Sequence, residues 1–260
     1  MKVTVLTLFP EILEGFFSTS IMARAVKEGK IAYQLVDFRE YSTDKHKKCD
    51  DAPYGGGAGM VLKAEPLSAA LDAQEAKSKH VVYLTPSGSL FNQAKAVQYS
   101  KTSELVLICG RYEGVDQRII DEYVDDEVSI GDYVLSSGET AALVVIDAVY
   151  RLVEGVINGE SLVEESHTDG LLEYPHYTRP ENFHSVGVPT ELLSGNHAAI
   201  ERWRFDRRLE KTLRNRPELL DRAVLSKERR SVLDCLLLSQ GGQDGSCKGD
   251  YRRPVEGQSS

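Results

Sequence analysis

Three glycine-bearing segments hold the residues whose types and spacing could do chemistry. The first is Tyr54-Gly55-Gly56-Gly57-Ala58-Gly59-Met60. Its glycines free the backbone for positive φ or for a very close approach to a ligand. A phosphate cradle is one reading and a flexible turn the other. The spacing fits neither the triphosphate loop that ends in Lys-Ser/Thr nor the GxGxxG dinucleotide turn, and no strand directly precedes it. The second is Leu105-Val106-Leu107-Ile108-Cys109-Gly110-Arg111-Tyr112-Glu113-Gly114. Here a β-branched apolar run enters a glycine turn at its C-terminal end, where open α/β sheets bind ligands. Tyr112 and Glu113 add an aromatic face and a carboxylate. The third, Ser129-Ile130-Gly131-Asp132-Tyr133-Val134-Leu135-Ser136-Ser137-Gly138-Glu139, ends at a helix start with free backbone donors. Each segment alone is also compatible with an ordinary strand-to-helix turn.

The elements that must position these segments follow from hydrophobic pattern. Val3–Leu8, Ile31–Val36, His80–Leu84 and Leu105–Cys109 read as buried strands, with a further strand near Glu127–Leu135. Helices are expected from Glu11 to a stop at Gly29, over Pro66–Ala76, over Asn92–Ser100 and over Thr140–Val153. Strands alternating with helices imply an α/β fold on a mainly parallel sheet. Glu160–Pro180 reads as a long loop, of the kind that is functional or disordered. From Asn196 onward the pattern is helical, implying a small all-helical C-terminal domain, and Ser239–Ser260 reads as a disordered tail. The division expected is 1–160, an interdomain loop 161–180, a helical domain 181–238 and the tail 239–260.

Bulk properties narrow the class. The 260 residues are 41% hydrophobic and 27% charged, as in a folded globular protein. No apolar run reaches the ~18 residues of a membrane span, and the N-terminus lacks the features of a signal peptide. Cys49, Cys109, Cys235 and Cys247 form no metal-type pair, so free thiols in a reducing cytoplasm are expected. The net charge of −9 argues against a nucleic-acid partner, but the charge is unevenly spread. Residues 121–127 carry five acids and no base, whereas 200–233 carry eleven Lys/Arg against six Asp/Glu.

Five strings occur in order: Pro53-Tyr54-Gly55-Gly56-Gly57, Cys109-Gly110-Arg111-Tyr112-Glu113-Gly114, Ser129-Ile130-Gly131-Asp132-Tyr133-Val134-Leu135-Ser136, Pro175-His176-Tyr177-Thr178-Arg179-Pro180 and Leu193-Ser194-Gly195-Asn196-His197. Together they closely resemble the bacterial tRNA (guanine-N1)-methyltransferase family, from residue 1 to about residue 238. The resemblance implies an α/β domain with a trefoil-knotted cofactor site followed by a helical domain. It also implies a homodimer whose active site is shared between chains, tRNA as substrate, S-adenosylmethionine as cofactor and Mg²⁺ in support, with no ligands designated for the ion. The reaction implied is methylation of N1 of the guanosine just 3′ of the anticodon.

By motif match, the cofactor falls to Tyr83, Leu84, Thr85, Pro86, Gly110, Tyr112, Glu113, Gly114, Ser129, Ile130, Gly131, Tyr133, Leu135 and Gly138. Ser137 stands where the family often has glycine. Guanine N1 is protonated at neutral pH, so a carboxylate base is needed, and charge building on O6 calls for a cation. The family match gives the cation role to Arg151. The usual base is an Asp before Gly-Leu-Leu. Here Glu165 takes that position, with Asp169 four residues on as the alternative. Tyr54, His176, Tyr177, Arg179, Asn196 and His197 are expected to position tRNA, with Arg202, Arg204, Arg207, Arg208 and Arg214 as phosphate contacts. Two rival readings are a nucleotide-binding regulatory module and a non-catalytic RNA-binding protein. The first lacks the triphosphate-loop lysine, and neither accounts for all five strings.

Overall fold

The computed structural model describes residues 1–159, 165–221, 223 and 225–240. Tertiary contacts divide the chain into two compact units, Met1–Leu162 and Val163–Ser260.

The first unit runs β1 (Lys2–Thr7), α1 (Glu11–Phe17), α2 (Ser20–Lys27), β2 (Ala32–Asp37), β3 (Asp50–Asp51), β4 (Val61–Leu62), α3 (Ala64–Ala73), β5 (His80–Leu90), α4 (Gln93–Ser100), β6 (Glu104–Cys109), α5 (Gln117–Tyr123), β7 (Asp126–Ser129) and α6 (Gly138–Tyr150). Five strands form one sheet in the order β2-β1-β6-β5-β7, and every pairing is parallel. β3 and β4 form a separate antiparallel pair. All five expected strands are therefore present in one sheet. The central strands β1 and β6 are buried along nearly their whole length, as continuous apolar runs in a parallel sheet should be.

Alternation along each strand splits the core into two layers. Val3, Val5, Val82, Leu105 and Leu107 pack with Leu13, Phe17, Ala96, Val145 and Tyr150 from α1, α4 and α6. Leu6, Val81, Tyr83, Val106 and Ile108 pack on the other face with Leu67 and Leu71 of α3 and Ile119 and Tyr123 of α5. Cys49 and Cys109 are buried free thiols. Among the described residues no helix is long and apolar enough to cross a membrane.

Two local features differ from expectation. The single helix expected between Glu11 and Gly29 is broken. Ser18 Oγ and Thr19 Oγ1 both donate to the Gly15 carbonyl, at 3.2 and 2.9 Å, and compete with the helical ladder there. Ser20 then takes a left-handed φ of 54° and the chain restarts as α2. The second is α5, which lies in a stretch noted only for its acids. Asp116 caps it, its Oδ1 accepting from the Arg118 N–H at 3.0 Å.

The second unit holds β8 (Asn182–Phe183) and β9 (Val186–Gly187), then α7 (Thr190–Leu193), α8 (His197–Asn215), a 3₁₀ turn Pro217–Leu219, and α9 (Lys227–Gln240). It is not purely helical, because β8 and β9 pair as an antiparallel hairpin. Its core gathers Leu209, Leu220, Ala223 and Leu233 together with Leu171 from the expected loop region. The tail expected to be disordered lies, from residue 241, outside the described residues.

One polar cluster ties the sheet edge to α4. Asp126 Oδ2 accepts from Tyr99 OH at 2.9 Å and pairs with His80 Nε2 at 3.0 Å, while Lys95 Nζ meets Oδ1 at 3.1 Å. Burial alone would raise the Asp126 carboxyl, but the bonds from Tyr99, Lys95 and His80 outweigh it and hold it below the usual Asp value. A carboxyl lowered on folding stabilises above its unfolded pKa and loses that contribution as pH falls through the folded one. Asp126→Asn should therefore cost about 1–2 kcal/mol at pH 7, and the difference should shrink below about pH 4. Denaturant unfolding of both proteins across that range measures it, and equal stability at pH 7 would refute the assignment.

Candidate active site

At the C-terminal ends of β5, β6 and β7 lies a cavity of about 340 Å³, within the usual range for small-molecule sites. Its walls are three backbone segments. In the first, β5 leaves the ladder: Leu84 and Ser89 both register with Val128, so the intervening Thr85–Gly88 arch outward. Gly88 passes so close to β7 that a Cβ there would lie 2.3 Å from the Val128 nitrogen. The second wall is the turn Gly110–Gly114, and the third is Val128–Gly138. These two walls are clamped together. The Gly138 N–H donates to the Gly110 carbonyl at 2.8 Å, and Arg111 bridges Ser137. A Cβ on Gly138 would sit 2.7 Å from the Gly110 nitrogen, so only glycine permits this approach.

All fourteen residues matched to the cofactor on sequence line this one cavity, and Ser137 lines it with them. Tyr83 is nearly buried beneath Gly110, and burial pushes its phenol up, so it stands as a neutral donor. Tyr112, Tyr133 and Leu135 are substantially exposed at the rim. Ser129 Oγ accepts from the Gly131 N–H at 3.3 Å and donates to its carbonyl at 2.9 Å, which shapes the bend before Tyr133. Cys109 is no candidate nucleophile, because burial and then the nearby Glu139 carboxylate raise its thiol well above the usual value. Sequence reading passed over Glu139, treating it only as part of a helix start. It is 1% exposed, Thr7 Oγ1 donates to its Oε1 at 2.5 Å, and its Oε2 meets no partner among the described residues.

Arg151 is placed elsewhere. α6 begins at the cavity with Gly138 and runs 13 residues, so Arg151 follows at its far end, about 20 Å away at 1.5 Å per residue. Tyr54 is fully exposed beyond β3 and lines a second, open depression with Lys48, Lys63 and Arg118.

The remaining expected residues lie in the second unit. Glu165 and Asp169 belong to an irregular stretch that runs on to β8. Asp169 is committed to an ion pair: Arg208 Nη1 donates to Oδ2 at 2.9 Å and Nη2 to Oδ1 at 2.5 Å. Arg208 is only 8% exposed, which corrects its expected role as a surface phosphate contact. Asn196 caps α8, its Oδ1 accepting from the Ala199 N–H at 3.2 Å, and His197 is the first, exposed residue of that helix. His176, Tyr177 and Arg179 are exposed. They sit in an aromatic and cationic patch that sequence reading saw only in part. Tyr174 packs on His176 at 4.8 Å, Tyr177 meets Trp203 edge-on at 6.1 Å, and the Arg204 guanidinium lies 4.9 Å from the Tyr174 ring. Trp203 has no signature of its own in the sequence, although its neighbours Arg202 and Arg204 are among the expected phosphate contacts.

A family model described as tRNA (Guanine-1)-methyltransferase TrmD matches residues 1–222. A tRNA (guanine-N(1)-)-methyltransferase of Treponema denticola is 60% identical over 237 residues, spanning 90% of this chain and 98% of that protein. One of Treponema pallidum is 62% identical over 237 residues, with 91% and 95% covered. One of Borrelia turicatae is 60% identical over 221 residues, with 84% and 92% covered. On that match the chain belongs to the tRNA (guanine-1)-methyltransferase family.

Proposed function

We propose that this enzyme transfers a methyl group from S-adenosylmethionine to N1 of the guanosine immediately 3′ of the anticodon, using Glu165 as base. The observation that carries the reading is the convergence of two glycine-bearing segments, 110–114 and 128–138, with the end of β5 on one cavity. A narrow site built from backbone turns offers N–H and C=O groups to an adenine edge and ribose hydroxyls, and the tight clamp at Gly138 keeps those groups in place. The cofactor, when bound, would supply the electrophilic methyl group, its S–CH₃ bond breaking with the electron pair left on sulfur as a thioether. The knotted connectivity expected of the family belongs to the same proposal.

The chain's own residues have two tasks. Glu165 takes the N1 proton of guanine, which frees the N1 electron pair to form the new N–C bond. Arg151 then offsets the negative charge developing on O6. Glu165 is preferred to Asp169 because both Asp169 oxygens already accept from Arg208. Arg151 and the cavity occupy opposite ends of one helix, which supports a homodimer in which Arg151 serves the cavity of a second copy. The aromatic and cationic patch of Tyr174, His176, Tyr177, Trp203 and Arg204 suits stacking on unpaired bases with phosphates nearby. No group of three or more His, Cys, Asp or Glu side chains converges among the described residues; Mg²⁺ needs only one or two carboxylates and keeps several waters, so the supporting ion belongs to the same proposal.

Three outcomes follow. Labelled methyl should transfer to unmodified tRNA with guanosine after the anticodon and not to the same tRNA with adenosine there. Label on neither would end this reading. Glu165→Ala should lower turnover roughly 10²–10⁴-fold while calorimetry finds cofactor affinity unchanged, and near-normal turnover would remove Glu165 from the role. Finally, Arg151→Ala and Gly110→Val chains should each be inactive alone yet recover activity when coexpressed, since a mixed dimer keeps one intact site. Silence of the coexpressed pair would place Arg151 outside a shared site.

A further inference from the structure

Arg208 is buried and its guanidinium is turned wholly toward the stretch that carries Glu165. Nη1 and Nη2 grip the two Asp169 oxygens, and Nε donates to the Leu172 carbonyl at 3.2 Å. One turn further along α8, Thr212 Oγ1 accepts from the Leu172 N–H at 2.9 Å and donates to the Arg208 carbonyl at 2.7 Å. Both backbone groups of Leu172 are thus held by side chains of α8, and the neighbouring Leu171 is 1% exposed in the core of the same unit. The stretch is also tied across itself. The His167 N–H donates to the Leu171 carbonyl at 2.9 Å, and the Glu173 N–H donates to Ser166 Oγ at 3.0 Å, one residue from Glu165. Pinning 169–172 to the helix therefore fixes the base of a closed loop on whose other limb Glu165 stands.

We infer that Arg208 is a positioning residue for methyl transfer: its fork on Asp169 and Leu172 sets where the Glu165 carboxylate stands relative to tRNA held on α8. The inference rests on the reading of Glu165 as base. A three-point grip from a planar guanidinium fixes direction as well as distance, which a lysine cannot do. The same helix carries Arg202, Trp203 and Arg204 on its preceding turns, so the surface offered to RNA and the anchor of the loop are parts of one rigid body. Asp169 then acts on the opposite side of the chemistry from a base: it receives the anchor rather than the substrate proton.

The test is single-turnover methyl transfer at saturating cofactor and tRNA, using Arg208→Gln and Arg208→Lys in the full chain. Asp169→Asn, which releases the fork from its more exposed side, is the companion variant should Arg208→Gln fold poorly. Misplacement of a reacting group by about 1 Å can cost 10²-fold, so rates should fall about 10–100-fold, while dissociation constants for cofactor and tRNA stay within about twofold of the parent. In a Glu165→Gln background, adding Arg208→Gln or Asp169→Asn should cause no further loss, because the carboxylate being positioned is gone. Losses that multiply in that background, or unchanged rates in the single variants, overturn the inference and leave the base assignment standing. A Glu165→Gln enzyme as fast as the parent overturns both.

Discussion

The approach of Gly138 to Gly110 is the contact on which the first unit's chemistry depends. Two backbones meet with no space for a Cβ between them, and the N–H of one donates to the carbonyl of the other at 2.8 Å. This joins a turn that leaves β6 to the passage that enters α6. Without it the two segments would be separate surface loops, each free to move by itself. With it, the end of a parallel sheet becomes a walled cavity, and the buried core on both faces of β1 and β6 transmits its rigidity to the walls. Gly88 makes the corresponding approach on the first wall, against β7. The specificity of the glycine pattern is therefore steric: these are sites where backbone must touch backbone.

The charge of the chain is consistent with an RNA substrate once the acids are followed to their partners. In the run 121–127, Asp121 accepts from Gln117 and Glu122 pairs with Lys77. Asp125 accepts from the Val81 N–H, and Asp126 gathers His80, Lys95 and Tyr99. Those four carboxylates are engaged within the first unit. The cations of α8 divide similarly. Arg208 is spent internally, whereas Arg202 and Arg214 face solvent. A net charge of −9 conceals this division, because it counts internal and outward charges alike.

The strands were legible in the sequence because a parallel sheet buried on both faces demands unbroken β-branched runs, and Val3–Leu8 and Leu105–Cys109 are such runs. The cavity residues were legible only through their company, since each turn alone was an ordinary glycine turn. Other features had no local signature. The break at Ser18–Ser20 depends on which carbonyl two hydroxyls choose. α5 is hard to read because it is only seven residues long and merges into the acidic run, so the Asp116 cap and the apolar Ile119, Ile120 and Tyr123 give a weak periodic signal. The pairing of Asp169 with Arg208 joins residues 39 positions apart, and nothing in either neighbourhood announces it. On sequence, Asp169 is a rival base and Arg208 a phosphate contact; in the structure their side chains pair with each other.

The helix α6 gives the proposed shared site a fixed length and a fixed phase. It starts at the clamp, where Gly138 is buried, and its last residue, Tyr150, is wholly buried, so neither end can slide. Each residue added or removed between them would shift Arg151 along the axis by about 1.5 Å and turn it by about 100°. Substitution is another matter: Thr140, Val144 and Asp147 face solvent, where exchanges leave spacing and phase untouched. The segment should thus tolerate changes of letter far better than changes of count, as a measuring rod tolerates new paint but not a new graduation.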